Sequence, residues 1–219
     1  MAEPAAAEYD ARWGYREFDA ERYERRRYGG FTRRLNLRML ERALARALQG
    51  VAPNGLVLDA PCGTGILAGF LRRRGFRVLG ADISRAMLEV AHRRTIAVGH
   101  VRADIEAPPF RPGVIDAVVS SRFMMHLPPD ARPRIMRTMA GVTTGPLVAT
   151  FCHPYTVKSF LRAVRRMFGG KKKRSARITR AQLAAEAAAA GLRLERVIPV
   201  MPLLSEVWVV VLRTPPATS

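Results

Sequence analysis

Cysteine is almost missing from this 219-residue chain: Cys62 and Cys152 are the only two. Two isolated thiols build neither a disulfide framework nor a metal-ligand cluster, so a disulfide-stapled secreted domain and a zinc module are excluded, and no metal is expected. Both are read as reduced, small apolar residues. Acidic residues are scarce, 18 against 37 basic ones, which leaves a formal net charge of +19. Lysine is scarcer still, confined to Lys158, Lys171, Lys172 and Lys173. No uncharged run is long enough to cross a bilayer. The first residues lack the basic segment and apolar core of a signal peptide, so a soluble cytoplasmic protein is the expectation.

What is present suits one domain, or one domain with a small cap. A hydrophobic share of 48% is enough for a sizeable core and excludes disorder of the whole chain. The positive charge has two readings. One is an anionic partner: RNA, DNA, an acidic membrane or a phosphorylated small molecule. The other is arginine- and alanine-rich coding bias, which implies no partner.

Residues 1–34 are polar and aromatic, with Tyr15 and Tyr28 among the aromatics, and read as a cap or lid. From Leu35 to Gln49, Leu37, Leu40, Leu44 and Leu48 recur at helical spacing. Short apolar runs then alternate with helical segments. Strands are expected at Leu56–Ala60, Arg77–Ala81, Ile96–Val101, Ile115–Ser120 and Leu147–Phe151. Helices are expected at Leu67–Arg74, Ser84–Arg93 with Ser84 as its cap, and Asp130–Met139 with Pro133 in its first turn. Ser159–Phe168 is a further helix inside a basic insertion over 154–178. Thr179 with Gln182 three residues on is a capping box, and that helix stops at Gly191. Arg193–Val197 and Glu206–Leu212 close the series as a hairpin-like pair, followed by a frayed tail over 214–219. The rhythm is that of parallel strands covered by helices on both faces.

Chemistry concentrates where apolar runs end. Val57-Leu58-Asp59-Ala60-Pro61-Cys62-Gly63-Thr64-Gly65 runs from a strand into a glycine turn. Gly63 and Gly65 leave room for a ligand where a side chain would collide. Position 60 is alanine, so the first glycine of a dinucleotide fingerprint is absent. A carboxylate at Asp59 would repel a pyrophosphate but attract the ammonium of an amino-acid moiety. Asp82 ends the second run, where a carboxylate can accept two ribose hydroxyls. Asp104 follows the third, where one can accept an exocyclic amine. Ile83 and Ile105 supply apolar faces beside them. Any one of these aspartates alone would serve as a helix or turn cap. The ordered set of three points to an adenosine-bearing ligand linked to an amino acid.

With these residues in place, the chain resembles class I S-adenosylmethionine-dependent methyltransferases, in the small-molecule (ubiquinone/menaquinone-methyltransferase-like) group. The glycine turn, Asp82, Asp104 and the run Ile115-Asp116-Ala117-Val118-Val119-Ser120 with Phe123-Met124-Met125-His126-Leu127 carry the resemblance, which extends over Leu35 to Leu212. It implies an α/β Rossmann-like sandwich over 35–213, with a seven-stranded sheet of order 3-2-1-4-5-7-6. It implies S-adenosyl-L-methionine as cofactor, held by Asp59, Ala60, Cys62, Gly63, Gly65, Asp82, Ile83, Met87, Asp104, Ile105 and Ser120. It also implies that the N-terminal segment and the 154–178 insertion cover the acceptor. Pro61 departs from a glycine common in the family.

Methyl transfer gains mainly from alignment of the acceptor, and a base helps only an acceptor that keeps its proton near neutral pH. His126 is the first base candidate and His153 the second, each with a hydrogen-bonded loop histidine as the alternative. Tyr15, Tyr28, Arg122 and Tyr155 are the acceptor-side candidates. Ser120-Ser121-Arg122-Phe123 stands where an Asn-Pro-Pro-Tyr-type motif would mark amino methylation of adenine or glutamine. The expected activity is O- or N-methylation of a small or amphipathic, anionic acceptor. RNA methylation, peripheral contact with an acidic membrane, and a non-catalytic cofactor-binding accessory role stand as alternatives.

Overall fold

Val57, Leu58, Val118 and Val119 are apolar on both sides of their strands and fully enclosed, as the inner strands of a sheet covered on both faces must be. The computed structural model describes residues 31–94, 97–157 and 177–216. Its elements run α1 (Phe31–Ala47), β1 (Leu56–Asp59), α2 (Ala68–Arg73), β2 (Arg77–Asp82), α3 (Arg85–Arg93), β3 (Gly99–Arg102), β4 (Ala117–Ser120), a 3-10 turn (Met124–His126), α4 (Ala131–Gly141), β5 (Leu147–Cys152), α5 (Arg180–Ala189), β6 (Arg193–Pro199) and β7 (Val207–Arg213). The seven strands form one sheet of order β3-β2-β1-β4-β5-β7-β6. All pairings are parallel except the two made by β7. Because of that reversal, the start of β7 lies at the edge where β1 to β5 end.

β7 shows the period of two that splits the core. Val209 and Val211 face the layer of α1 and α2, with Leu40, Leu44, Phe70 and Leu71. Trp208, Val210 and Leu212 face the layer of α4 and α5, with Ile135, Met136, Leu183 and Ala187. α1 buries Leu40, Ala43, Leu44, Ala47 and Leu48 at helical spacing. It begins four residues before the apolar pattern does, at Phe31.

Helix ends follow local chemistry. The Ser84 hydroxyl accepts the Met87 N–H at 3.4 Å and starts α3. Thr179 and Gln182 form a reciprocal capping box on α5. α2 gives way at Gly75, with φ +86°. Pro133 falls in the first turn of α4, where its missing N–H removes no helical bond. α4 and α5 are joined by a buried ion pair, Arg132 to Glu186 at 2.9 Å.

Most strand ends differ from the sequence reading by a single residue, and three boundaries differ by two or more. The fourth begins at Ala117, because Ile115 makes an isolated bridge to Thr143. The third begins at Gly99, since pairing with β2 starts there against Leu79. β6 continues to Pro199 because β7 is long enough to pair it as far as Trp208. The helix expected at Ser159–Phe168 and residues 1–30 of the cap expected over 1–34 lie outside the described residues, and residues 31–34 of that cap open α1. No helix among the described residues is long and apolar enough to cross a membrane.

Candidate active site

The glycine turn leaves the carboxyl end of β1 and folds back over β2. The Cys62 N–H donates to the Ala81 carbonyl at 2.8 Å. The Gly63 N–H donates to Asp82 Oδ2 at 2.8 Å, and the Ser84 N–H to Asp82 Oδ1 at 2.9 Å. One carboxylate therefore holds both the turn and the start of α3. The Ala60–Pro61 bond is cis.

The two glycines have different reasons to be glycine. Both have positive φ, +54° at Gly63 and +71° at Gly65. A side chain at Gly63 would meet nothing within 4 Å, so this is the face left open to a ligand. A side chain at Gly65 would come within 3.1 Å of the Ala91 Cβ. The room expected for a ligand at Gly65 is taken by α3, because that helix packs directly on the turn. Arg94, at the end of α3, donates from Nε to the Thr64 carbonyl at 2.8 Å and adds a second tether.

Asp59 and Asp82 are 2% and 6% exposed. Burial, reinforced by the charge of Asp82, pushes the Asp59 carboxyl up to about 8. Burial also raises Asp82, against backbone N–H groups of Ser84, Gly63 and Ile83 that favour its charged form. Burial drives the Cys62 thiol far above its usual range, which leaves it inert as a nucleophile. Met87 is buried on the inner side of α3.

Just after β3, Asp104 is half-buried, and its Oδ1 accepts the Glu106 N–H at 2.9 Å. Ile105 lines an apolar recess with Ala60, Ala81, Ala103, Pro108 and Phe110. At the end of β4, the Ser120 hydroxyl is fully buried and has no hydrogen-bond partner among the described residues. Arg122 adopts a left-handed φ of +59°, held by its N–H donating to the Thr150 hydroxyl. His126 is exposed on the 3-10 turn. After β5, His153 is 3% exposed and stacks on Trp208, with ring centroids 4.4 Å apart. Its Nδ1 accepts the Tyr155 N–H at 3.1 Å, and burial lowers its pKa, so the ring is neutral at pH 7. Tyr155 lies half exposed beside it.

The described site residues thus gather along the carboxyl edge of β1 to β5. Tyr15 and Tyr28 lie outside the described residues. Sequence reading missed Thr150, Arg94 and Trp208. Thr150 left a signal, as the polar residue in an apolar strand; Arg94 and Trp208 left none, since each acts through a contact between distant segments. Among the described residues no group of His, Cys, Asp and Glu could hold a metal ion. The donor set suits an adenosine linked to an amino acid: buried carboxylates on adjoining strands, an open glycine face, an apolar recess and an unpaired buried hydroxyl.

Residues 57–144 match the family model described as a methyltransferase domain. The malonyl-[acyl-carrier protein] O-methyltransferase of Serratia marcescens is 36% identical over 85 residues, which are 37% of this chain and 33% of that protein. The 18S rRNA (guanine-N(7))-methyltransferase of Mus musculus is 32% identical over 100 residues, 44% of this chain and 36% of that protein. The matched region is therefore only about a third of either relative. Magnesium protoporphyrin IX methyltransferase from Synechocystis PCC 6803, solved with bound SAH, superposes with a TM-score of 0.70 at 18% identity, over 88% of this chain and 94% of that one. The 3-2-1-4-5-7-6 sheet is the Rossmann-like α/β methyltransferase fold, and its β1 to β4 region, residues 57–144, is similar to a methyltransferase domain.

Proposed function

We propose that this protein transfers a methyl group from S-adenosylmethionine to an oxygen or nitrogen of a small or amphipathic, anionic acceptor. The observation that carries the reading is the pair of buried carboxylates, Asp59 and Asp82, at the ends of adjacent strands beside the open face of Gly63. Asp59 would take the ammonium group, and Asp82 the ribose hydroxyls. Asp104 would take the adenine amine, with Ile83 and Ile105 against the ring system. The unpaired Ser120 hydroxyl supplies a further polar contact on the β4 side. When bound, the cofactor supplies an electrophilic methyl on a sulfonium, so the protein's task is to bind, align and exclude water.

Arg122 and Tyr155 flank the open end of β4 and β5 and are the acceptor-side residues. A left-handed arginine at this edge supports an anionic acceptor, as does the carrier-bound malonyl substrate named for the Serratia relative. His126, exposed on its turn, is the base for an acceptor that arrives protonated. His153, neutral and stacked, is suited to shaping the wall beside it. An RNA acceptor is the second reading, favoured by the likeness to the rRNA methyltransferase and by the net charge of +19.

The test is transfer of labelled methyl groups from S-adenosylmethionine into a cell extract, with and without ribonuclease. A labelled small molecule that survives ribonuclease supports the reading. Label lost with the RNA moves the assignment to the second reading, and cofactor binding without any product removes catalysis.

A further inference from the structure

Leu203 sits in the left-handed backbone region at φ +62°, which a branched side chain adopts only at a cost. It is 65% exposed, and its neighbour Leu204 is 74% exposed. Two adjacent leucines therefore stand in water on the connection between β6 and β7, one of them in a strained conformation. The connection is well tied. The Leu203 carbonyl accepts the Val157 N–H at 3.1 Å, Leu204 N–H donates to Pro202 O at 2.8 Å, and Ser205 N–H to Met201 O at 3.0 Å. Thr156 bridges to Leu203.

That pairing brings Val157 and Tyr155, each about half exposed, alongside the two leucines. The four residues come from two distant segments, and Tyr155 among them packs beside the His153–Trp208 stack, at the edge where β5 ends and β7 begins. Among the described residues, the other exposed large apolar ones, Leu35, Val98 and Val114, belong to three separate places in the fold. Single exposed residues of that kind are ordinary, whereas a tied group is the mark of a contact surface.

Charge identifies the partner. The nearby Glu206 carboxylate is taken by Arg177 at 3.2 Å and by the Thr156 hydroxyl at 3.5 Å. The sequence that leaves this surface at Val157 and returns at Arg177 contains Lys158, Arg162, Arg165, Arg166 and Lys171 to Arg174, and no acidic residue. Exposed leucine, valine and tyrosine flanked by basic residues match the boundary of an anionic bilayer, where apolar groups enter the acyl region and cations meet headgroups. A nucleic acid would engage the charges but leave two leucines in water. A second copy would bring another +19 to the contact.

We propose that Tyr155, Val157, Leu203 and Leu204 form a docking surface for an anionic lipid bilayer. It adjoins the open end of the candidate site, so docking would present that opening to an amphipathic acceptor held in the lipid. The docking itself rests on no assignment of the methyl acceptor, and its test needs no turnover.

The experiment is flotation of the full chain with phosphatidylcholine vesicles, with and without about one third phosphatidylglycerol. Wild type is expected to float with the anionic vesicles at low salt, to leave them as NaCl is raised, and to ignore pure phosphatidylcholine. The variant L203N/L204N keeps a residue suited to left-handed backbone at 203. It should partition at least about tenfold more weakly, with its thermal melt and its affinity for S-adenosylhomocysteine unchanged. Val157→Ser should shift partition in the same direction. Equal partition of L203N/L204N and wild type overturns the proposal, as does failure of wild type to bind anionic vesicles. Retained binding of a labelled RNA strand in place of vesicles, or a dimer that L203N/L204N splits, overturns it in favour of those partners.

Discussion

Asp82 Oδ2 accepts the N–H of Gly63 at 2.8 Å, across a separation of 19 residues. The carboxylate assigned to the ribose is also the post to which the glycine turn is tied, and its other oxygen holds the start of α3 through Ser84. In the proposed site, ligand recognition and loop shape would depend on the same side chain.

Asp82→Ala should therefore weaken S-adenosylhomocysteine binding by about 30-fold or more, the loss of one charge-assisted hydrogen bond or more. Asp82→Asn should fall between the two, because its amide oxygen can accept from one backbone N–H but carries no charge. Calorimetric affinities in the order wild type, Asn, Ala check this; three equal values would remove Asp82 from the site.

With Asp59 in its proposed role, cofactor binding should depend on pH. Its folded-state carboxyl lies near 8 against an ordinary 3.8, so the folded chain binds more protons than the unfolded one between those values. Its contribution to stability is full below pH 3.8 and is lost as pH rises through about 8. An ammonium ligand needs the ionised form, so affinity for S-adenosylhomocysteine should rise from pH 6 toward pH 8 and level off, with protons released on binding at pH 7. Calorimetry in buffers of different ionisation enthalpy measures that release, and Asp59→Asn should abolish it.

Gly65→Ala should destabilise the fold by about 1–3 kcal/mol, since it adds a side chain at positive φ and 3.1 Å from Ala91. Ala91→Gly in the same chain removes the contact but not the backbone strain, and should restore only part of the loss. Denaturant midpoints of the two single variants and the double variant separate the two causes.

His126→Gln should lower turnover by about 100-fold or more for an acceptor that needs deprotonation, with cofactor affinity within about twofold of wild type. An unchanged pH–rate profile would remove His126 as the base.

Arg132 and Glu186 pair at 2.9 Å with side chains 4% and 15% exposed. Burial lowers the pKa of Arg132 and raises that of Glu186 against the pull of the pair, so desolvation outweighs the attraction. Glu186→Ala should cost about 3 kcal/mol by stranding the guanidinium, while R132M/E186L should be neutral or stabilising. Urea unfolding checks both signs.

The element sequence was legible in the residues before the fold, whereas the sheet order followed only from the resemblance to a known family. Short apolar runs ending in Asp59 and Asp82, spaced by helical segments, leave a chain few ways to bury both strand faces. Boundaries were less legible, because pairing decides them. Ile115 is as apolar as Val118 but bridges Thr143 from outside the strand. Pro199 ends a run with no strand signal of its own, yet β7 pairs it with Trp208.

Within the candidate site, the sequence by itself determined which carboxylates close which strands, because a strand's end and its acidic residue are written in consecutive positions. Only the tertiary structure decided what those groups do to one another. The raised carboxyl of Asp59, the tie from Asp82 to Gly63, the helix pressed on Gly65, the left-handed Arg122 on Thr150 and the ring of His153 against Trp208 each join segments far apart in the chain. Burial and hydrogen-bond geometry are properties of that joining, and no local pattern encodes them.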